Sequence, residues 1–159
     1  MYDSDWLMFS SQITLDHNFT VIVIGSLTSN SVVFGYSSAN RQIKAGTEGS
    51  NILSIYEGTA TITSAILDNS LNSLRMMVWR RYGRQYIDFF ENGRYKIPTA
   101  GGTTMLQIEL NRMGITSPFF NPLKGDIAEV MIWTIDLPDD EIYNLYHKYV
   151  RVKFPTITF

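Results

Sequence analysis

The chain has 159 residues, 45% of them hydrophobic and 18% charged, with a formal net charge of -2. That length fits one domain with its own core, and the near-neutral balance excludes the basic field of a nucleic-acid binder. Cysteine is absent, which removes disulfides and thiolate chemistry, and no apolar run approaches a membrane span.

The opening Met1-Tyr2-Asp3-Ser4-Asp5 lacks the basic and apolar regions of a signal peptide, so the expectation is a chain made in a reducing cytoplasm. Phe19 to Ile24 ("FTVIVI") is a β-branched run of the kind found in a strand covered on both faces. Strands are predicted next at 31–36, 52–56 and 59–67, separated by the turn chemistry of "SSAN", "GTEGS" and "EG". A strand over 74–81 leads into a turn at Tyr82-Gly83-Arg84. Asn92-Gly93 then joins strands 86–90 and 94–97, because both residues tolerate the positive φ of a type I′ hairpin.

The segment 126–133 is a further strand, with Ala128, Val130 and Ile132 on one face and Ile127, Glu129, Met131 and Trp133 on the other. From Pro138 the period changes. Ile142, Leu145, Tyr146 and Tyr149 form one helical stripe behind an acidic first turn of Asp139, Asp140 and Glu141, with Lys148 and Arg151 near the end. This helix is expected on a sheet edge or over the mouth of a sandwich. Residues 150–159 ("VRVKFPTITF") alternate like a strand, a tail that would pair with the chain's own first strand or join a neighbour. No repeat or linker divides the chain, and evenly spaced short strands point to an all-β sandwich or barrel.

"GDIAEVMIWTIDLPDDEIYNLYHKY" resembles the closing segment of laminin-G-like domains of the concanavalin A-like lectin/glucanase superfamily. Gly125, Ile127, Ala128, Glu129, Val130, Leu137, Asp139, Glu141, Ile142, Leu145 and Tyr149 carry that likeness. "LMFSSQITLDHNFTVIVIG" is similar to the family's opening strand pair, and "YIDFFENGRY" to its Asn-Gly hairpin. The resemblance spans most of the chain and implies one domain over 1–159, a two-sheet antiparallel jelly roll with a short C-terminal α-helix. Two departures stand out. Pro138 replaces the usual Ser cap of the helix, leaving Asp136 or Asp139 to cap it, and "LQIELNRMG" implies a rebuilt loop before the closing strand.

Glucanases of that superfamily carry closely spaced acids on one strand face, since two carboxylates must flank the scissile bond. Asp88 and Glu91, and likewise Asp126 and Glu129, stand three apart and are expected on opposite faces, so no enzyme is expected. His17 in a turn and His147 on the helix sit in no nucleophile motif. No cofactor is expected, apart from Ca²⁺ at the rim, as in some relatives, through Asp68, Asn69 and Asn72 or Asp16 and Asn18.

One cluster suits binding. Arg75, Arg80, Arg81, Arg84, Arg94 and Lys96 are interleaved with Trp79, Tyr82, Tyr86 and Tyr95. Either this surface grips sugars, phosphates, acidic polymers or an acidic partner, or the arginines snorkel on a solvated sheet. Arg80, Tyr82 and Arg84 lead as partner-binding residues, the arginines being expected at the surface with no weight in folding. Tyr36, Tyr56 and Tyr82 are the candidates for a sugar. The expected function is a non-enzymatic structural and binding module, a virion component such as a phage capsid decoration, spike or tail protein, assembled in the host cytoplasm. Its partners would be other virion proteins or further copies of itself, with no nucleic acid or membrane partner. The alternative is a lectin-like module for surface glycans, with or without Ca²⁺.

Overall fold

The computed structural model describes residues 7–27, 31–35, 42–47, 50–57, 60–67, 73–83, 86–100, 107–114 and 123–157. Among these residues twelve strands build two antiparallel sheets. The first is seven-stranded, made of β1 (Leu7–Leu15), β3 (Ser31–Gly35), β4 (Gln42–Thr47), β5 (Ser50–Glu57), β6 (Ala60–Ile66), β10 (Pro98–Ala100) and β11 (Ile108–Met113), in the order β1-β11-β3-β4-β5-β6-β10. The second is five-stranded, made of β2 (Phe19–Leu27), β7 (Arg75–Tyr82), β8 (Tyr86–Glu91), β9 (Arg94–Lys96) and β12 (Gly125–Trp133), in the order β12-β2-β7-β8-β9. The C-terminal segment is helical: α1 (Asp139–Leu145), a π-helical turn over Tyr146–Val150, and a last short turn α2 (Arg151–Lys153).

The jelly-roll sandwich expected from the sequence is therefore the fold, with three strands the sequence reading did not separate. Gln42–Thr47, Pro98–Ala100 and Ile108–Met113 are short and weakly patterned, and sheet partners rather than local propensity hold them. Ile108–Met113 lies in "LQIELNRMG", read as a loop; it pairs with both β1 and β3.

β2 is buried on both faces, as its apolar run predicted, because it belongs to two cores. Val21 and Val23 sit opposite Trp79 and Met77 and face the other sheet. Ile22 and Ile24 sit opposite Val78 and Met76 and face outward, where Ile142, Tyr146 and Val150 of the helical segment cover them. So the helix lies on the outer face of the five-stranded sheet, not on a sheet edge or over the mouth. Ile22, Ile24, Ile142, Tyr146 and Val150 are fully shielded from water there, a contribution of roughly 1.5–3 kcal/mol per large apolar side chain.

β12 carries a bulge at Ala128. Ile127 pairs with Gly25 and Glu129 with Ile24, so Ala128 has no partner of its own. The extra residue flips the expected faces on its N-terminal side. Ile127 joins Val130 and Ile132 against the inter-sheet core, Ala128 is exposed, and Met131 and Trp133 pack beneath the helix.

The tail also differs from its expected strand. Arg151–Lys153 continues the helix, Phe154 to Thr156 turn, and Ile157 is buried in the helix-side core. Helical hydrogen bonding holds this stretch, with Phe154 N donating to Val150 O at 2.7 Å. Among the described residues no helix is long and apolar enough to cross a membrane.

Candidate functional site

The region expected to bind lies on the outer face of β7 and β8, beside the start of α1. Outward-facing residues of β7 alternate as Met76, Val78, Arg80 and Tyr82, and their β8 partners are Phe90, Asp88 and Tyr86. The far end of this face is apolar and covered by the helix. The near end is polar and aromatic, and it is open.

Tyr82 and Tyr86 are directly paired across the strands, and their rings stack with centroids 5.1 Å apart and planes 9° apart. Both are exposed, at 38% and 58%, and Tyr95 from β9 is open beside them. Tyr95 packs its ring edge-on against Phe90 and donates its hydroxyl to Asp88 Oδ1 at 3.4 Å. Positive φ at Asn92 and Gly93 makes the tight β8–β9 turn that brings Tyr95 back alongside β8, as the Asn-Gly signal predicted. Burial and the Asp88 carboxylate both raise the pKa values of the Tyr82 and Tyr95 phenols, so both stay protonated donors at neutral pH.

Arg80 sits underneath, and here the sequence expectation needs correcting. Its side chain is only 11% exposed. Nη2 donates to Asp88 Oδ2 at 2.5 Å, and Nη1 donates to Asp139 Oδ1 at 2.5 Å and to the Leu137 carbonyl at 2.8 Å. The guanidinium also lies 4.9 Å from the Phe90 ring centroid and 5.7 Å from that of Tyr82. Burial alone would lower its pKa, but its hydrogen bonds to the two carboxylates, with their charges, outweigh that and raise it. Arg80 is a bracket between sheet and helix, not a free surface cation. Thr20, its cross-strand neighbour, completes the bracket: Oγ1 donates to Ile135 O at 3.0 Å and accepts from Leu137 N at 2.9 Å. Asp139 is thus held above Arg80 and does not cap the helix, which starts at Asp139 behind Pro138 with no side-chain cap.

The other cations of the cluster are divided between faces. Arg75 and Arg81 are buried, facing the interior rather than snorkelling. Arg75 donates to Glu91 Oε1 at 2.6 Å, and Lys96 reaches the second oxygen of Glu91 at 3.3 Å. Burial lowers the Arg75 pKa while Glu91 opposes that shift. Arg81 lies at the other end of β7, with Nε donating to Gly83 O at 3.1 Å and His17 Nδ1 at 3.4 Å from its Nη2. His17 is therefore half-buried beside an arginine, not a freely solvated loop residue. His147 is half-buried and packs between Tyr143 and Tyr146, with ring centroids 4.1 and 4.9 Å away.

Of the residues singled out from the sequence, Arg80 and Tyr82 come together here. Arg84 and Tyr36 lie outside the described residues. Tyr56 is placed only by its backbone in β5, on the other sheet. Tyr86 and Tyr95 belong to the arginine-aromatic cluster seen in the sequence but were not among its leading residues, although their period-two spacing with Asp88 and across the Asn-Gly turn places them on one face.

Asp88 and Glu91 point to opposite faces, as expected, each held by an arginine. Asp126 and Glu129 do not. They pair with Ser26 and Ile24, which share a face, so the Ala128 bulge puts both carboxylates on the helix side. Both Glu129 oxygens are engaged, by the Tyr149 hydroxyl at 2.6 Å and Lys153 Nζ at 2.9 Å. Among the described residues no three His, Cys, Asp or Glu side chains cluster as metal ligands. Asp68, Asn69 and Asn72 lie outside those residues, and Asn18 Oδ1 accepts from Gly83 N at 2.9 Å.

No protein-family model matches the chain, and no curated protein sequence matches it. Solved structures do. The heptameric SAP-like pentraxin from Limulus polyphemus matches with a TM-score of 0.67 at 12% identity, over 91% of this chain and 76% of its own. Domain 4 of AbnA, a GH43 extracellular arabinanase from Geobacillus stearothermophilus, in complex with arabinotriose, matches with a TM-score of 0.64 at 16% identity, over 83% of this chain and 68% of its own. The Trypanosoma rangeli sialidase matches at 0.58 and 14% identity, over 89% of this chain but only 24% of its own length. At such identities the likeness establishes the jelly-roll β-sandwich and nothing finer.

Proposed function

We propose that this chain is a non-enzymatic recognition module that takes a carbohydrate on the tyrosine platform of β7, β8 and β9. The stacked, exposed Tyr82–Tyr86 pair carries this reading. A sugar ring presents an apolar C–H face that packs on aromatic rings, while its hydroxyls need acceptors and donors at the border. Asp139, 70% exposed, supplies a carboxylate there, and Tyr95 a phenol. The structural likeness to an arabinanase domain in complex with arabinotriose, and to a sialidase, supports a lectin-like use of the sandwich. A non-enzymatic role is supported by the engagement of Asp88, Glu91 and Glu129 in ion pairs, which leaves none of the three poised as acid or nucleophile. A glycan array with and without Ca²⁺, followed by titration of the wild type and Tyr86→Ala, tests the reading. At least a tenfold loss of affinity in the variant is expected, and an array without hits sinks the proposal.

A second reading, assembly, is favoured by β1. Among the described residues it ends the seven-stranded sheet with nine residues, none charged, and with Leu7 and Met8 exposed. The other sheet ends carry charge or proline: Asp126 and Glu129 in β12, Pro98 in the three-residue β10, and Arg94 and Lys96 in the three-residue β9, whereas β1 has a register shift between Met8 and Ile13 but neither charge nor proline. An uncharged edge can pair with a further copy or another chain, which is where a virion role, with other virion proteins as partners, would act. Light scattering across a concentration series tests it; a monomer at every concentration, alone and in the presence of candidate partners, removes this reading.

A further inference from the structure

We infer that the tyrosine platform selects uncharged sugars and rejects acidic ones, an inference that rests on the carbohydrate reading above. Among the described residues, the cation that lies beneath the tyrosines, Arg80, is already consumed. Arg80 places both terminal nitrogens on Asp88, Asp139 and the Leu137 carbonyl, and its Nε is buried without a hydrogen-bond partner. A guanidinium bound in this way offers no fork to a second carboxylate, sulfate or phosphate.

The described ion-pair cluster beneath the platform then has the opposite sign from the one the arginine-rich sequence implies. Among the described residues that meet in this ion-pair cluster, one cation, Arg80, faces two carboxylates, Asp88 and Asp139, and Asp139 opens a first turn that continues with Asp140 and Glu141. Asp139 is the exposed member, so its unbonded oxygen is an acceptor for a sugar hydroxyl. A sugar hydroxyl donates to that oxygen, whereas an acidic substituent brings acceptors and a like charge. Repulsion across several ångströms at a partly solvated surface is worth on the order of a tenfold change in affinity. The raised Tyr82 phenol is consistent with this, with burial as its main cause and the Asp88 and Asp139 charges adding to it.

The test pairs neutral oligosaccharides with acidic counterparts: lactose with sialyllactose, and N-acetyllactosamine with its sulfated form. Affinities are measured by titration calorimetry at low and high salt on the wild type, Asp139→Asn and Tyr86→Ala. The neutral member should bind about tenfold more tightly at low salt, with the gap narrowing at high salt and in Asp139→Asn. Tyr86→Ala should weaken the neutral sugar. Equal or tighter binding of the acidic members overturns the selectivity alone, as does a gap unmoved by salt and by Asp139→Asn. Absence of binding by every member, or sugar binding insensitive to Tyr86→Ala, overturns the platform itself and the selectivity with it.

Discussion

Gly93, in the turn between β8 and β9, is pressed against Tyr146 on the helical segment. A Cβ placed on Gly93 would stand 3.0 Å from Tyr146 Cβ and 3.2 Å from two of its ring atoms. Gly93 also has a φ of 78°, where a side chain costs about 1–2 kcal/mol even in open space. The hairpin turn and the C-terminal helix, separated by some fifty residues in sequence, are thus one packed unit. Gly93→Ala should lose at least that 1–2 kcal/mol, measured by chemical denaturation, because the turn is strained and Tyr146 must shift. Gly83→Ala is the control. It shares a positive φ of 65° but has nothing within 4 Å, so its loss should be smaller.

Arg80 joins three elements, and its removal should be felt in folding. Arg80→Ala leaves the nearly buried Asp88 carboxylate without its cation and the Leu137 carbonyl without a donor. A loss of about 2–4 kcal/mol is expected from stranding a largely buried charge. Asp139→Asn should lose less than about 1 kcal/mol, since Asp139 is mostly exposed. Asp88→Asn combined with Arg80→Ala should recover part of the single-variant loss, and a double-mutant cycle by thermal denaturation measures that coupling. Strict additivity would mean that Arg80 and Asp88 do not act as a pair.

What the sequence conveyed and what it hid divide along physical lines. Period-two and period-3.6 patterns, the Asn-Gly turn and the acidic helix start are local signals, and they revealed the sandwich, the hairpin and the helix. The bulge at Ala128 is invisible to strict alternation, because one inserted residue reverses the faces on its N-terminal side. The π-turn at Tyr146–Val150 acts similarly on the helix. Five-residue hydrogen bonding widens the turn, so Val150 is buried and Tyr149, expected in the stripe, faces Glu129 and Lys153. The tyrosine platform was legible as a cluster, since Tyr82, Tyr86 and Tyr95 fall in one arginine-aromatic stretch, but only Tyr82 of the three stood out as a leading residue. Whether Arg80 was free could not be read, since its partners Asp88 and Asp139 come from different elements and only folding assembles them.

The Glu129 carboxylate links β12 to the end of the helical segment, and it makes that link sensitive to acid. Burial would push its pKa up, but hydrogen bonds from Tyr149 and Lys153 and the Lys153 charge hold it below the ordinary value of 4.5. A carboxylate held low in the folded state stabilises above its unfolded pKa and loses that contribution as pH falls through the folded one. Lys153 is raised, chiefly by its bonds to Tyr149 and Glu129, so its share persists up to 10.5 and fades above. Thermal denaturation of the wild type should lose more between pH 5 and pH 3 than that of Glu129→Gln, by under about 1 kcal/mol. Identical acid limbs would show that the tether carries no weight.

Tyr82 and Tyr86 invite a purely structural account, because directly opposed aromatic residues stabilise a strand pair by about 0.5–1.5 kcal/mol. Tyr86→Val separates that account from recognition. Valine suits a strand, and at 58% exposure the Tyr86 ring contributes little to the core, so folding should change by less than about 1 kcal/mol. Carbohydrate binding, which needs the flat ring, should fall at least tenfold. Tyr82→Phe removes only a hydroxyl and keeps the stack, so it should bind within a few-fold of the wild type. If Tyr86→Val melts the fold yet keeps its ligand, the pair is a structural clamp; if it folds normally and binds nothing, the exposed ring is there for recognition.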